Sequence, residues 1–206
     1  MILYPLFQWT VRTFWHAIGP VEIRGLEHVP ASGPVLVIAN HQSILDPILI
    51  QSFCPRPIHT MAKSTQYASP IMRRLLPRLL AFPVRRYQVD PQAVRNVLRH
   101  LRQGDAVGIY IEGERSWDGR LQPPRLGTLR VILKSGAPVV PVAIAGSYDV
   151  WPRWHRGIHR APVRITFGSP LRFPRLDRRR DRDAVLDDTA ATIMGALRRL
   201  LEGSGR

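Results

Sequence analysis

Residues 35–47 read VLVIANHQSILDP, and this stretch joins a predicted buried strand to a predicted helix. The apolar run Val35–Ala39 predicts the strand, and His41 follows at its exit. Asp46 and Pro47 are typical of a helix start. A carboxylate at that point can hold one ring nitrogen of His41, which fixes its tautomer and makes the imidazole a stronger base. The stretch therefore predicts a group that can take a proton from a hydroxyl.

A second histidine–aspartate pair has the same spacing, namely His100 and Asp105. The chain has seven histidines, so a chance match at this spacing is common and the pattern alone is weak. His100 lies in a predicted helix that begins at Asp90 and ends before Gly104. We therefore interpret His100 as a helix residue and Asp105 as a turn residue, and we prefer His41 because of the motifs downstream of it.

Composition indicates one globular domain with a basic surface. The chain has 206 residues, 45% of them hydrophobic, which is enough for a single domain with a core. Its net charge of +15 attracts polyanions such as nucleic acid, anionic headgroups or an acidic carrier protein, unless the charge serves solubility alone. Cys54 is the only cysteine, which excludes an intrachain disulfide, argues against a cysteine-based zinc site and indicates a reducing compartment.

Residues 1–18 predict an amphipathic helix. Its broad apolar face comprises Leu3, Leu6, Phe7, Val11, Phe14 and Ile18, with Trp9 and Trp15 on the flanks. Its narrow polar stripe comprises Gln8, Arg12 and His16. The apolar face can lie in a membrane interface or pack on the core, and the sequence leaves both open. No segment approaches the ~20 apolar residues of a membrane-spanning helix, and no signal peptide is predicted.

Strands alternate with helices through the rest of the chain. The predicted strands are 21–25, 35–39, 58–62, 80–86, 106–111, 139–144 and 163–167. The predicted helices begin at residue 69 and span 90–103, 126–135 and 184–201, and Pro77 is expected to kink or end the first of them. This alternation predicts a single-domain α/β fold with a mixed, largely parallel sheet flanked by helices.

Three further motifs follow His41 in order. Residues 81–86 read AFPVRR, residues 108–116 read GIYIEGERS, and residues 137–142 read APVVPV. Arginines at strand ends suit a phosphate, because the guanidinium fork binds it with two parallel hydrogen bonds and stays charged. Glu112 adds an acceptor for substrate hydroxyls or for a neighbouring arginine.

With these motifs the chain resembles the 1-acylglycerol-3-phosphate acyltransferase family, the lysophospholipid acyltransferases. The resemblance runs from about residue 21 to residue 147 and rests on four ordered blocks. The matching residues are, block by block, Asn40, His41 and Asp46; Val84 and Arg86; Tyr110, Glu112, Gly113, Arg115 and Ser116; and Pro138 to Val142. Ala62 and Lys63 also match an Ala-Lys pair of the family.

Several positions depart from the family pattern. Leu80 stands where glycine is usual, Ile111 where proline is usual, and Glu114 where threonine is usual. Arg85 replaces a commonly acidic residue, and Arg125–Gly127 replaces Lys-Pro-Gly. The histidine and aspartate are intact, so these departures bear on the acceptor headgroup and not on acyl transfer itself.

The resemblance implies O-acyl transfer from an acyl thioester to a lysophospholipid hydroxyl. The expected acceptor is 1-acylglycerol-3-phosphate, which would give phosphatidic acid, and the donor is acyl-CoA or acyl carrier protein. His41 would be the general base and Asp46 its orienting partner, with oxyanion stabilisation from backbone amides nearby. The implied substrate-binding residues are Lys63, Arg86, Glu112, Gly113 and Arg115. No metal and no bound cofactor are expected.

Residues 19–206 are accordingly expected to form the acyltransferase domain, held peripherally at the cytoplasmic face of an anionic membrane without a transmembrane helix. One alternative is acylation of another lyso-amphiphile such as a lyso-aminolipid. Another is a non-catalytic basic module that binds membrane or nucleic acid, favoured by the basic aromatic loop Trp151–Arg156. The ordered blocks favour the enzyme, so nucleic acid is not an expected partner.

Overall fold

The computed structural model describes residues 3–155, 157–175 and 182–203, which form one seven-stranded sheet with flanking helices. The strands are β1 Val21–Arg24, β2 Val35–Ala39, β3 Ile58–Lys63, β4 Ala81–Val84, β5 Ala106–Tyr110, β6 Val139–Ala145 and β7 Val163–Phe167. Their order across the sheet is β1-β7-β6-β2-β5-β3-β4, and every neighbouring pair is parallel except β6 and β7. The predicted mixed, largely parallel α/β sheet is therefore confirmed.

The helices are α1 Leu3–Ile18, α2 Asp46–Phe53, α3 Pro70–Arg78, α4 Pro91–Arg102, α5 Leu126–Ser135, α6 Ser147–Val150 and α7 Arg182–Glu202. Helices α2 to α6 connect successive strands, whereas α1 precedes β1 and α7 follows β7. Asp90 caps α4, because its side chain accepts hydrogen bonds from the amides of Gln92 and Ala93. Pro77 lies inside α3, which ends one residue later at Arg78.

Strand β2 is central, and apolar groups cover both of its faces. Val35, Val37 and Ala39 pack with residues of α1 and α2, whereas Leu36 and Ile38 pack with residues of α4, α5 and α7. All five side chains are fully buried, which explains why this strand reads as a continuous apolar run. Burial on both faces fixes the register of β2 and therefore the position of the residues that leave it.

Leu80 turns the chain from α3 into β4 in a left-handed conformation, with φ of 57°. Its amide donates to the carbonyl of Pro77, and its carbonyl accepts from the amide of Thr60. The predicted strand 80–86 is correspondingly shorter and begins at Ala81. The left-handed region costs a non-glycine residue about 1–2 kcal/mol, which gives a physical reason for glycine at this position in the resembled family.

Helix α1 contacts α2 through its polar stripe. Gln8 donates to the carbonyl of Gln51, Arg12 donates to that of Ser52, and the Tyr4 hydroxyl also donates to Gln51. The last carbonyls of a helix have no partner within the helix, so these donors satisfy groups that would otherwise be left open. Gln8 and Arg12 of the polar stripe thus face the domain, and the side chain of His16 lies outside the described part of the chain.

The apolar side of α1 is divided between the core and the surface. Trp15 and Ile18 are buried, whereas Leu6, Trp9 and Phe14 are exposed, Trp9 by 66%. Neither sequence alternative described this arrangement, because each assigned the whole apolar face to one environment. Within the residues described, no helix combines the length and apolarity required to cross a bilayer.

Candidate active site

The carboxyl ends of the parallel strands bring the predicted site residues to one edge of the sheet. His41 follows β2, Glu112 follows β5, Arg86 follows β4, and Lys63 ends β3. In open α/β sheets, ligands bind in the crevice outside these strand ends. A cavity of about 1270 Å³ lies there, and His41 and Arg86 line it together with Gly113.

His41 and Asp46 form a buried hydrogen-bonded pair. Nδ1 of His41 lies 2.8 Å from Oδ2 of Asp46, and His41 is only 3% exposed. The same carboxylate oxygen accepts the amides of Gln42 and Ser43 at 2.6 and 2.8 Å. Asp46 is the first residue of α2, so its carboxylate is fixed by the turn and by the helix start. With Nδ1 committed to Asp46, Nε2 is the nitrogen left for chemistry.

The surroundings of His41 favour its neutral, basic form. Burial lowers the pKa of His41 below the usual imidazole value, and the charges of Arg86 and Arg115 act in the same direction. The hydrogen bond and charge of Asp46 oppose this shift without overcoming it. The ring also stacks on Tyr110, with ring centroids 3.9 Å apart, which restricts its orientation. The imidazole is therefore held in place and unprotonated near neutral pH.

Glu112 supports the loop that carries His41. Its Oε1 accepts the amide of His41 at 3.1 Å, and the side chain is almost fully buried. Burial raises the pKa of Glu112 to about 8, so the carboxyl group is mostly protonated at neutral pH. Glu112 lines a smaller cavity of about 390 Å³, next to the large one, together with Glu114 and Arg115. Arg125 lines both cavities and so forms the wall between them.

Glu114 joins three side chains from separate parts of the chain. It accepts hydrogen bonds from the Tyr87 hydroxyl at 2.8 Å, from Arg125 at 2.7 Å and from Arg153 at 3.2 Å. Arg125 also packs on Gly113, whose φ is 73°, and a Cβ at Gly113 would approach the Arg125 side chain to 2.7 Å. Glu114, which stands where the family usually has threonine, therefore holds together side chains in the wall of the site.

Arg86 and Arg115 are half-buried, and within the described residues neither has a carboxylate at ion-pair distance. Burial lowers the pKa of Arg115, and the charges of Arg153 and Arg86 lower it further. A group of guanidinium charges without counter-ions binds an anion such as phosphate. By contrast, Arg85 lies 3.6 Å from Asp90, so this added charge already has a carboxylate partner.

Lys63 stands apart from the other predicted residues. It is exposed at the end of β3, paired in register with Val84, and it does not line either cavity.

Ser116 is buried, and its amide donates to the carbonyl of His41 at 2.7 Å, so it braces the His41 loop. The amides of His41, Gln42 and Ser43 already have acceptors, which leaves none of these three free for an oxyanion.

The basic aromatic loop folds against the site. Arg153 donates to Glu114 and to the carbonyl of Arg115, and its guanidinium stacks over Trp117 at 3.7 Å. Trp117 in turn stacks on Trp154, with ring centroids 4.1 Å apart. Arg156 lies outside the described residues. Two residues of the loop that favoured a separate binding module, Arg153 and Trp154, thus contact residues that line the smaller cavity.

Sequence reasoning missed the roles of Asn40, Tyr110 and Arg153. Asn40 exchanges two hydrogen bonds of 2.8 Å with the backbone of Ile144, which ties the end of β2 to β6. Ile111 replaces the family proline, and its amide donates to Ala39 at 2.9 Å, a bond that proline cannot make. Asn40 and Tyr110 were visible as block residues, whereas nothing local to Arg153 in the sequence indicated its contact with Glu114.

The comparisons with known proteins agree with this fold. Residues 20–145, more than half of the chain, match the model of the Acyltransferase family. The chain belongs to this family, and the resemblance identified from its motifs is confirmed.

The similar proteins include acyltransferases of plants and bacteria. The chain is 30% identical over 156 residues to a chloroplastic 1-acyl-sn-glycerol-3-phosphate acyltransferase of Brassica napus, covering 73% of this chain and 44% of that protein. It is 26% identical to a Bacillus subtilis 1-acyl-sn-glycerol-3-phosphate acyltransferase, covering 74% of each. The chain thus spans less than half of the plant relative.

A solved structure has the same fold. The crystal structure of the 1-acyl-sn-glycerophosphate acyltransferase PlsC from Thermotoga maritima superposes with a TM-score of 0.79 at 24% identity. The match covers 98% of this chain and 79% of that one.

Proposed function

We propose that this chain transfers a fatty acyl group from an acyl thioester to the free hydroxyl of 1-acylglycerol-3-phosphate, which gives phosphatidic acid. The observation that carries the proposal is the buried His41–Asp46 pair, because His41 lines the same cavity as Arg86, a cation with no carboxylate at ion-pair distance among the described residues. A base and a phosphate-binding group in one cavity match an acceptor that has both a hydroxyl and a phosphate. The named relatives act on this acceptor according to their names.

The reaction follows from the protonation state of His41. Nε2 takes the proton of the acceptor hydroxyl while the oxygen attacks the thioester carbonyl, and Asp46 stabilises the resulting imidazolium. The tetrahedral intermediate then expels the thiolate, which receives the proton from the imidazolium. No acyl-enzyme is required. Cys54 is a poor nucleophile because burial raises the pKa of its thiol to about 11.

Acceptor binding is assigned to Arg86 and Arg115. Both guanidinium groups are half-buried and lack a carboxylate partner in the part of the chain that is described, so a phosphate would supply the missing negative charge. Glu114 does not favour an amino headgroup, because Tyr87, Arg125 and Arg153 already satisfy its carboxylate. The phosphate acceptor is therefore preferred to a lyso-aminolipid.

The chain is proposed to reach its lipid acceptor from the membrane surface. The exposed Leu6, Trp9 and Phe14 of α1 suit contact with the bilayer interface, and the net charge of +15 suits anionic headgroups at the cytoplasmic face. The same positive charge suits an acidic acyl donor, either acyl-CoA or acyl carrier protein.

The direct test is an assay of the purified protein with lysophosphatidate and acyl-CoA. Thiol release and phosphatidic acid formation should rise together in equal amounts, and acyl carrier protein thioesters should be compared as donors. Thiol release without phosphatidic acid would indicate hydrolysis and would contradict the assigned acceptor. Equal rates with a lysolipid that lacks the phosphate would contradict the role of Arg86 and Arg115.

A further inference from the structure

A second histidine–aspartate cluster lies at the opposite edge of the sheet from His41. Asp105 precedes the first residue of β5, His59 is the second residue of β3, and His100 lies in the last turn of α4. Because β5 and β2 are parallel, the start of β5 is about five residues of strand, or roughly 17 Å, from the end of β2. The cluster is therefore separate from the proposed acyl-transfer site.

The three side chains converge on one point. Oδ2 of Asp105 lies 3.0 Å from Nδ1 of His100 and 3.4 Å from Nε2 of His59. The two imidazole rings stack with centroids 3.7 Å apart, and Phe82 packs on the His100 ring at 5.7 Å. The three candidate ligand atoms all lie within 4.8 Å of one another.

Hydrogen bonding accounts for only one of the two contacts that Asp105 makes in this cluster, the one with His100. A separation of 3.4 Å between His59 and Asp105 is long for a hydrogen bond. In a tetrahedral zinc site with bonds of about 2.1 Å, neighbouring ligand atoms lie about 3.4 Å apart. The two rings stack with an interplanar angle of 22°, so at least one ring must tilt for both in-plane nitrogen lone pairs to point at an ion held by the carboxylate.

The cluster is also open enough to admit an ion and a water ligand. The side chains of His59, His100 and Asp105 are 19%, 15% and 36% exposed, so the group is neither sealed in the core nor free on the surface. Two imidazoles and a carboxylate are a donor set that suits zinc and similar divalent metals.

We propose that His59, His100 and Asp105 bind a divalent transition metal of the zinc class, with water as the fourth ligand. The ion would join side chains of β3, of α4 and of the residue before β5 at this edge. It would act as a structural clamp. The acyl-transfer chemistry assigned to His41 needs no metal and does not involve this site.

Binding should be measured with ZnCl₂ by calorimetry and with CoCl₂ by visible absorption. His155 and His159 lie 3.0 Å apart on the surface and could hold a second ion, so the parent protein should carry His155→Gln and His159→Gln. This parent should bind one equivalent of metal, and Co²⁺ should give the intense visible bands of a four-coordinate site. His59→Gln, His100→Gln and Asp105→Asn should each weaken binding at least tenfold.

Each variant should be checked for a native far-ultraviolet circular dichroism spectrum. Asp105→Asn keeps the shape of the side chain, so its zinc affinity tests the proposal even if a histidine variant is unstable. Parental zinc affinity in a folded Asp105→Asn variant would overturn the proposal, as would a parent that binds no zinc. These outcomes do not depend on acyltransferase activity, so they are independent of the proposed function.

Discussion

Glu112→Gln should change how the stability of the protein depends on pH. Burial raises the pKa of Glu112 from 4.5 to about 8, and the hydrogen bond from the His41 amide opposes this only in part. Below about pH 4.5 the carboxyl is protonated in both the folded and the unfolded chain. As the pH rises toward 8, the unfolded chain releases this proton while the folded chain keeps it. The free energy of unfolding therefore falls across this window.

The size of the effect follows from the same shift. One pH unit between the two pKa values changes the free energy of unfolding by about 1.4 kcal/mol. Glutamine has the shape of the protonated carboxyl and does not titrate. The stability of Glu112→Gln relative to the unaltered protein should therefore increase by about 3–4 kcal/mol between about pH 5 and pH 8.

The assay is urea unfolding of both proteins at several pH values across this window. Glu114→Gln is the matched control, two residues away. Partial burial raises the pKa of Glu114, but hydrogen bonds from Tyr87, Arg153 and Arg125 outweigh this and lower it. The stabilisation from the ionised Glu114 is present above the pKa of this group in the unfolded chain and is lost only at more acidic pH. The difference in the free energy of unfolding between Glu114→Gln and the unaltered protein should therefore stay constant in the window. If the difference in the free energy of unfolding between Glu112→Gln and the unaltered protein also stayed constant, Glu112 would be ionised in the folded protein, which would refute the predicted pH dependence.

Three further predictions concern the acceptor, the backbone and the membrane. Arg86→Ala or Arg115→Ala should raise the KM for lysophosphatidate roughly tenfold to a hundredfold, because charge-assisted hydrogen bonds contribute about 1.5–3 kcal/mol each. The KM for acyl-CoA should stay nearly unchanged, and an equal rise in both KM values would count against the assignment. The free energy of unfolding of Leu80→Gly, measured with urea, should stay within about 1 kcal/mol of the parent value, because relief of the left-handed backbone strain offsets the lost side chain. Leu79→Gly should be clearly less stable than the parent. The fraction of protein that sediments with anionic vesicles should fall as salt rises and should fall further in Trp9→Ala. Binding that is equal for anionic and neutral vesicles would contradict the surface-contact proposal.

The parts of the structure that follow from local sequence were predictable. The apolar run before His41 gave a buried central strand, and the five-residue spacing carried Asp46 back onto the ring across a single turn. Parallel strands with motif residues at their ends then had to bring Arg86 and Glu112 to the same edge. In each case a short-range pattern determines the geometry.

The parts that depend on distant partners were not predictable. Gln8 and Arg12 of α1 face the domain because they donate hydrogen bonds to carbonyls in the last turn of α2, and no pattern within residues 1–18 reveals those acceptors. Arg153 reaches Glu114 from 39 positions along the chain. The sequence indicates only a helix residue, His100, beside a turn residue, Asp105, because the third member of the cluster, His59, lies on β3, more than 40 positions earlier in the chain. Such contacts are set by the packed sheet and not by spacing.

The two histidine–aspartate pairs provide the decisive comparison for the general-base assignment. His41 and His100 each bond through Nδ1 to an aspartate five residues later, at 2.8 and 3.0 Å. Turnover of lysophosphatidate with acyl-CoA should be measured for His41→Ala and His100→Ala in chelator-treated buffer, with folding checked by circular dichroism. His41→Ala should lose about 10²–10⁴-fold in kcat, whereas His100→Ala should remain near the parent rate. A folded His41→Ala protein that keeps most of its activity, or an equal loss in His100→Ala, would contradict the assignment of His41 as the base.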